Sequence, residues 1–101
     1  MKNRSHDEAM AEVYRQDPAY AIQMLNSILA DGEQSDLLIA LRQMTKAFGG
    51  MQAVAATAQL NPTQLYRILS PAGNPALSSL TAILEAMGLR LAVQAVAAPP
   101  G

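Results

Sequence analysis

Between Met51 and Leu69 the chain reads Met-Gln-Ala-Val-Ala-Ala-Thr-Ala-Gln-Leu-Asn-Pro-Thr-Gln-Leu-Tyr-Arg-Ile-Leu, and this stretch admits few folds. Asn61 is a good helix N-cap, because its side-chain oxygen can accept an otherwise unpaired backbone N–H. Pro62 suits the first helical position, where its missing N–H costs nothing. Val54, Ala55, Leu60, Leu65 and Ile68 bury together if a helix over 51–58 crosses a second over 62–69 across a tight turn. Ala55 then sits where only a small side chain lets the two backbones approach. Thr63, Gln64 and Arg67 are left pointing away from that core. Side chains of this kind can bond base edges in a DNA major groove, so the segment reads as a helix-turn-helix.

The rest of the chain supplies one domain around it. A length of 101 residues suits one domain with tails, and a hydrophobic share of 50 % rich in Ala favours helix. With one Phe, three Tyr and no Trp, the core is aliphatic. No apolar run approaches the roughly 18 residues of a membrane span, and no signal-peptide pattern opens the chain. The absence of cysteine excludes a disulfide framework and thiol catalysis, and fits a reducing cytoplasm. The expectation is a soluble cytoplasmic protein with no membrane partner.

Charge argues mildly against a nucleic-acid binder, since the net charge is −1 and such proteins are usually basic. Its distribution softens the objection. From residue 39 onward Arg42, Lys46, Arg67 and Arg90 face only Glu85, giving +4 − 1 = +3. Asp7, Glu8, Glu12, Asp17, Asp31, Glu33 and Asp36 all precede them. With so few cations to neutralise phosphate, a monomer should bind DNA weakly.

Helical periodicity organises the remainder. Residues 1–16 read as a polar N-terminal arm, frayed or loosely helical. Residues 17–96 form the domain, and residues 97–101 a tail. Asp17-Pro18 caps a helix carrying Ile22, Leu25, Ile28 and Leu29 that stops at Asp31-Gly32. Ser35 or Asp36 starts the next, with Leu37, Leu38, Leu41, Met44, Thr45 and Phe48 on a broad face ending at Gly49-Gly50. After the loop 70–75, a helix begins near Ser78 or Ser79 and carries Leu80, Ile83, Leu84 and Met87 up to its C-terminal cap, Gly88. Then the period changes. Leu89, Leu91 and Val93 alternate with Arg90, Ala92 and Gln94, which is a strand pattern. A lone strand cannot satisfy its own backbone, so it is expected to pair with a second copy in a symmetric homodimer.

These features together resemble a known family. The order is Asp17-Pro18-x-Tyr20, Leu25-Asn26, a helix ending Gly49-Gly50-Met51, then Leu65-Tyr66-Arg67-x-Leu69-Ser70, Gly73-Asn74-Pro75, Leu80 and Gly88-Leu89-Arg90-Leu91. It is similar to the addiction module antidote proteins, the HigA-like antitoxins of bacterial toxin–antitoxin systems, over about residues 17–93. The resemblance implies an all-α, lambda-repressor-like helix-turn-helix domain of the phage repressor and Cro group. It also implies dimerisation, a cognate toxin of the RelE/ParE-like type, and repression of the protein's own operon through double-stranded operator DNA. By position, Thr63, Gln64 and Arg67 would face bases, while Met51 and Gln52 would start the first motif helix near the phosphates. One departure stands out. The turn position that repressors of this group often fill with Gly is Gln59 here, and positive φ costs a side chain about 1 kcal/mol.

Each candidate has a plainer alternative. Arg67 suits a bidentate pair with guanine, against a solvated helix charge. Thr63 and Gln64 are either base contacts or ordinary first-turn residues. Tyr66 either supports a phosphate contact or covers the core edge, and Asn74 either meets the backbone of DNA or only shapes its loop. Arg42 and Lys46, four apart on one face, are more simply solvated than phosphate-bound. His6 is the only histidine and no ligand cluster surrounds it, so neither metal nor cofactor is expected. No catalytic constellation appears, and an enzyme is not expected. The expected function is a DNA-binding, autorepressing antitoxin. The alternatives are an antitoxin acting by protein contact without DNA binding, and a stand-alone prophage-type regulator.

Overall fold

A computed structural model describes residues 5–96, and these form an all-helical protein. The order is α1 (His6–Gln16), α2 (Pro18–Asp31), α3 (Gln34–Ala47), α4 (Gly50–Thr57), α5 (Pro62–Ile68) and α6 (Leu77–Ala86). None of them is long and apolar enough to cross a membrane.

Helix α3 is the centre, packing against α1, α2 and α4. Its Leu38, Leu41 and Met44 are fully buried, each contributing about 1.5–3 kcal/mol by leaving water. Thr45 is buried beside them and satisfies its hydroxyl locally, donating to the Leu41 carbonyl at 2.8 Å. On the other side α4 carries the packing on to α5 and α6. Leu65 and Leu69 close that half of the core together with Ile83, all three fully buried.

The local signals decide most helix ends. Asp17 caps α2 by accepting from the Tyr20 N–H at 3.1 Å, with Pro18 first in the helix. Helix α3 begins one residue before the expected Ser35, because the Glu33 N–H donates to Asp36 Oδ2 at 3.2 Å and fixes the turn there. Helix α6 likewise begins at Leu77, one residue before the serines. Gly88 ends it at φ 80°, while the Leu89 N–H reaches back to the Leu84 carbonyl at 2.8 Å and Gly88 to Glu85 at 3.0 Å.

Two regions differ from the sequence reading. Within residues 1–16, expected as a polar arm, frayed or loosely helical, His6–Gln16 is a helix packed on the core rather than a loose one. Ser5 caps it by accepting from the Glu8 N–H at 3.1 Å, and Ala11 and Tyr14 enter the core. The polar appearance misled because only two of its residues are fully buried, and its polar groups reach long-range partners. Residues 1–4 lie outside the described residues, as does the 97–101 tail.

Residues 89–96, expected to include a strand, have no regular structure, and no strand occurs among the described residues. Among the described residues there is no second extended segment for it to pair with. Leu89 and Leu91 lean on the core, whereas Val93 and Val96 are 100 % and 90 % exposed.

Candidate nucleic-acid interface

Helices α4 and α5 pack on each other, and the turn between them is fixed by backbone bonds. The Leu60 N–H donates to the Ala55 carbonyl at 2.8 Å, and the Gln59 N–H to Ala56 at 3.2 Å. This is the same double closure that Gly88 makes after α6, but it turns on Gln59 at φ 62°. Gln59 is the one non-glycine residue with positive φ among those described. Ala55 is fully buried under the crossing, where a larger side chain would push the helices apart.

The start of α5 is locked from both sides. Asn61 Oδ1 accepts from the Gln64 N–H at 2.8 Å, and Gln64 Oε1 accepts from the Asn61 N–H at 2.9 Å. Two orphan donors are thereby satisfied reciprocally. At the other end Ser70 Oγ donates to the Arg67 carbonyl at 2.9 Å, and buried Leu69 anchors the last turn. Between these locks Thr63, Tyr66 and Arg67 stand exposed, with Tyr66 at 52 %. Gln64 is exposed too, but its carbonyl oxygen is committed to the cap. Gln52 is exposed in the first turn of α4, next to buried Met51.

Asn74 sits in the loop after α5, where Gln34 holds it in place. Gln34 Nε2 donates to the Gly73 carbonyl at 3.0 Å and to Asn74 Oδ1 at 3.4 Å. Gly73 must be glycine at this close approach, since a Cβ there would run into the Ile68 carbonyl oxygen. Gln34 carries no sequence signal for this role, because its partners lie 39 and 40 residues away.

Arg42 does not join this surface as a free cation. Arg42 Nε pairs with Asp7 Oδ2 at 2.8 Å, and Gln43 Nε2 donates to Asp7 Oδ1 at 3.3 Å. Burial pushes the Asp7 carboxyl up, but the hydrogen bonds from Arg42 and Gln43 and the charges of Arg42 and Lys46 more than reverse this. The carboxyl therefore lies below its ordinary range. The Tyr14 hydroxyl donates to Gln43 Oε1 at 3.5 Å, and burial, aided by the nearby Tyr20, pushes its ionisation up. This polar seam joins α1 to α3. The backbone carbonyl of Lys46 accepts from Arg15 Nη2 at 3.3 Å, adding a second tie. His6 lines an open cavity of about 300 Å³ beside this seam, with Met10, Tyr14, Met24, Ile28 and Gln43.

The fold and its surfaces define a small all-helical protein with an acidic pair of N-terminal helices and a more basic remainder. The chain belongs to the family of probable addiction module antidote proteins, whose model matches residues 6–95. No curated protein and no solved structure matches it. An antidote implies a cognate toxin as its partner.

Proposed function

We propose that this antidote also binds double-stranded operator DNA in a sequence-specific manner and represses its own operon. In this reading α4–α5 is a lambda-repressor-like helix-turn-helix, and α5 lies in the major groove with Arg67 and Thr63 toward base edges. Gln52, Tyr66 and Asn74 meet the phosphate backbone, and Gln64 contributes its free amide N–H₂ while holding the cap. The observation that carries the reading is a short helix fixed at both ends whose outward residues are polar, exposed and unpaired with one another. Such a helix presents its donors on a backbone already ordered, so binding orders only the side chains. Two copies, joined through residues 89–94, would read two half-sites and double a weak positive surface. The toxin neutralised would be a small RelE/ParE-like protein, as the resemblance implies.

The test is a mobility-shift titration on the DNA upstream of the gene, at two salt concentrations, with random DNA as competitor. Tight, salt-sensitive binding that survives the competitor is the expected result. A second reading, an antitoxin acting through protein contact alone, is favoured by one observation. Arg67 is the only cation on α4 and α5. Equal affinity for upstream and random DNA would select it.

A further inference from the structure

Among the described residues, the exposed large apolar side chains include two on one face of a packed helix. Ile22 and Leu29, seven apart on one shoulder of α2, are 44 % and 52 % exposed. Helix α2 packs against α1 and α3 and leaves this shoulder uncovered. Beside it a groove of about 160 Å³ runs between the C-terminal half of α2 and the start of α3. Its walls are Ile28, Leu29 and Leu37, and Glu33 lies at its polar side.

Charge says what this surface fits. Seven of the eight carboxylates of the chain fall within residues 5–36, against Arg15 alone as a cation, and Arg15 is already paired with Glu12. Helix α2 carries no lysine or arginine. Asp17 stands at its start, Asp31 at its end and Glu33 in the groove. A nucleic acid is repelled by such a field. A second copy would set the same carboxylates against each other across a two-fold axis. A cationic protein surface is attracted.

We infer that the Ile22–Leu29 shoulder and the α2–α3 groove form the docking surface for a basic protein segment, one presenting aliphatic side chains flanked by lysine or arginine. The partner of this chemistry is the toxin, so the inference rests on the neutralisation reading above. Aliphatic groups fill the groove beside Leu29, and the flanking cations meet Asp31 and Glu33. The surface is on α2 and α3, apart from the exposed face of α5, so it engages its partner independently of the α5 residues.

The experiment uses the full chain and the toxin encoded in the same module, with affinity measured by calorimetry at two salt concentrations. Ile22→Ser with Leu29→Ser should weaken toxin binding about tenfold or more, as expected for centrally placed apolar anchors. Asp31→Asn should weaken it less and flatten its salt dependence. Both variants should keep the wild-type circular dichroism, because all three positions are exposed. A folded double-serine variant with wild-type toxin affinity overturns the surface and leaves neutralisation standing. Failure of the wild-type chain to bind the toxin overturns neutralisation and the surface with it. A third result points elsewhere. If the double variant alone turns a dimer into a monomer in sedimentation equilibrium, a second copy occupies the shoulder and the proposal falls.

Discussion

Helices α1 and α5 are both short and both polar in appearance, yet they are held by opposite means. Helix α5 is specified by its immediate neighbours in the chain. Its cap is a reciprocal pair three residues apart, its first residue is Pro62, and the turn before it closes on bonds spanning five residues or fewer. Helix α1 has a serine cap, but what keeps it in place is distant. Asp7 meets Arg42 across 35 positions and Gln43 across 36, and Tyr14 reaches Gln43 across 29. The surfaces differ in the same way. The outward face of α5 is polar and nearly uncharged, whereas the segment from Asp7 to Asp36 carries seven of the eight carboxylates and, on α2, the exposed Ile22 and Leu29. Local closure frees a helix to spend its outer face on a ligand, while α1 spends much of its polarity on staying attached.

The largest effect that would break this comparison is the loss of Tyr14. Tyr14→Ala removes a fully buried ring and its bond to Gln43, and should cost about 3–5 kcal/mol in urea unfolding. A cost below 1 kcal/mol would make α1 an appendage after all. Next is Arg67→Ala, which should weaken operator binding by about 1–3 kcal/mol and leave stability unchanged. Unaltered operator affinity in that variant removes Arg67 from the readout. Smaller again is Gln59→Gly, which relieves a side chain held at φ 62°. It should raise stability by about 0.5–1 kcal/mol, seen as a higher denaturant midpoint. A fall in the midpoint would mean that the Gln59 side chain stabilises the turn in its own right.

The smallest effect is conditional on pH. The folded state holds the Asp7 carboxyl below its unfolded value of 3.8, so the unfolded chain takes up the proton first as pH falls. Its contribution is therefore complete above the unfolded value, and is lost as pH drops through the folded one. The stability gap between wild type and Asp7→Asn should be constant near neutrality and shrink below about pH 4. A gap that persists undiminished at lower pH would show that the ion pair with Arg42 is not what fixes α1.

Much of the fold was legible in the residues because its determinants are short-range. Asn61-Pro62, Asp17-Pro18, Gly49-Gly50 and Gly88 each act within a turn of their own position, so sequence alone marked where four helices start or stop. Even the unusual backbone at Gln59 could be anticipated, because the closing turn demands positive φ whatever side chain occupies it. Which polar residues remain available was decided only in three dimensions. Arg42 looked solvated and is paired with Asp7, Asn74 is tied to Gln34, and Gln64 is partly committed to its cap. The exposure of Ile22 and Leu29 belongs with these, since periodicity places them near the buried stripe and only the position of α3 leaves them outside it. The physical reason is the range of the interactions. Caps and turns are set by neighbours along the chain, whereas burial and long-range pairing depend on which helices meet.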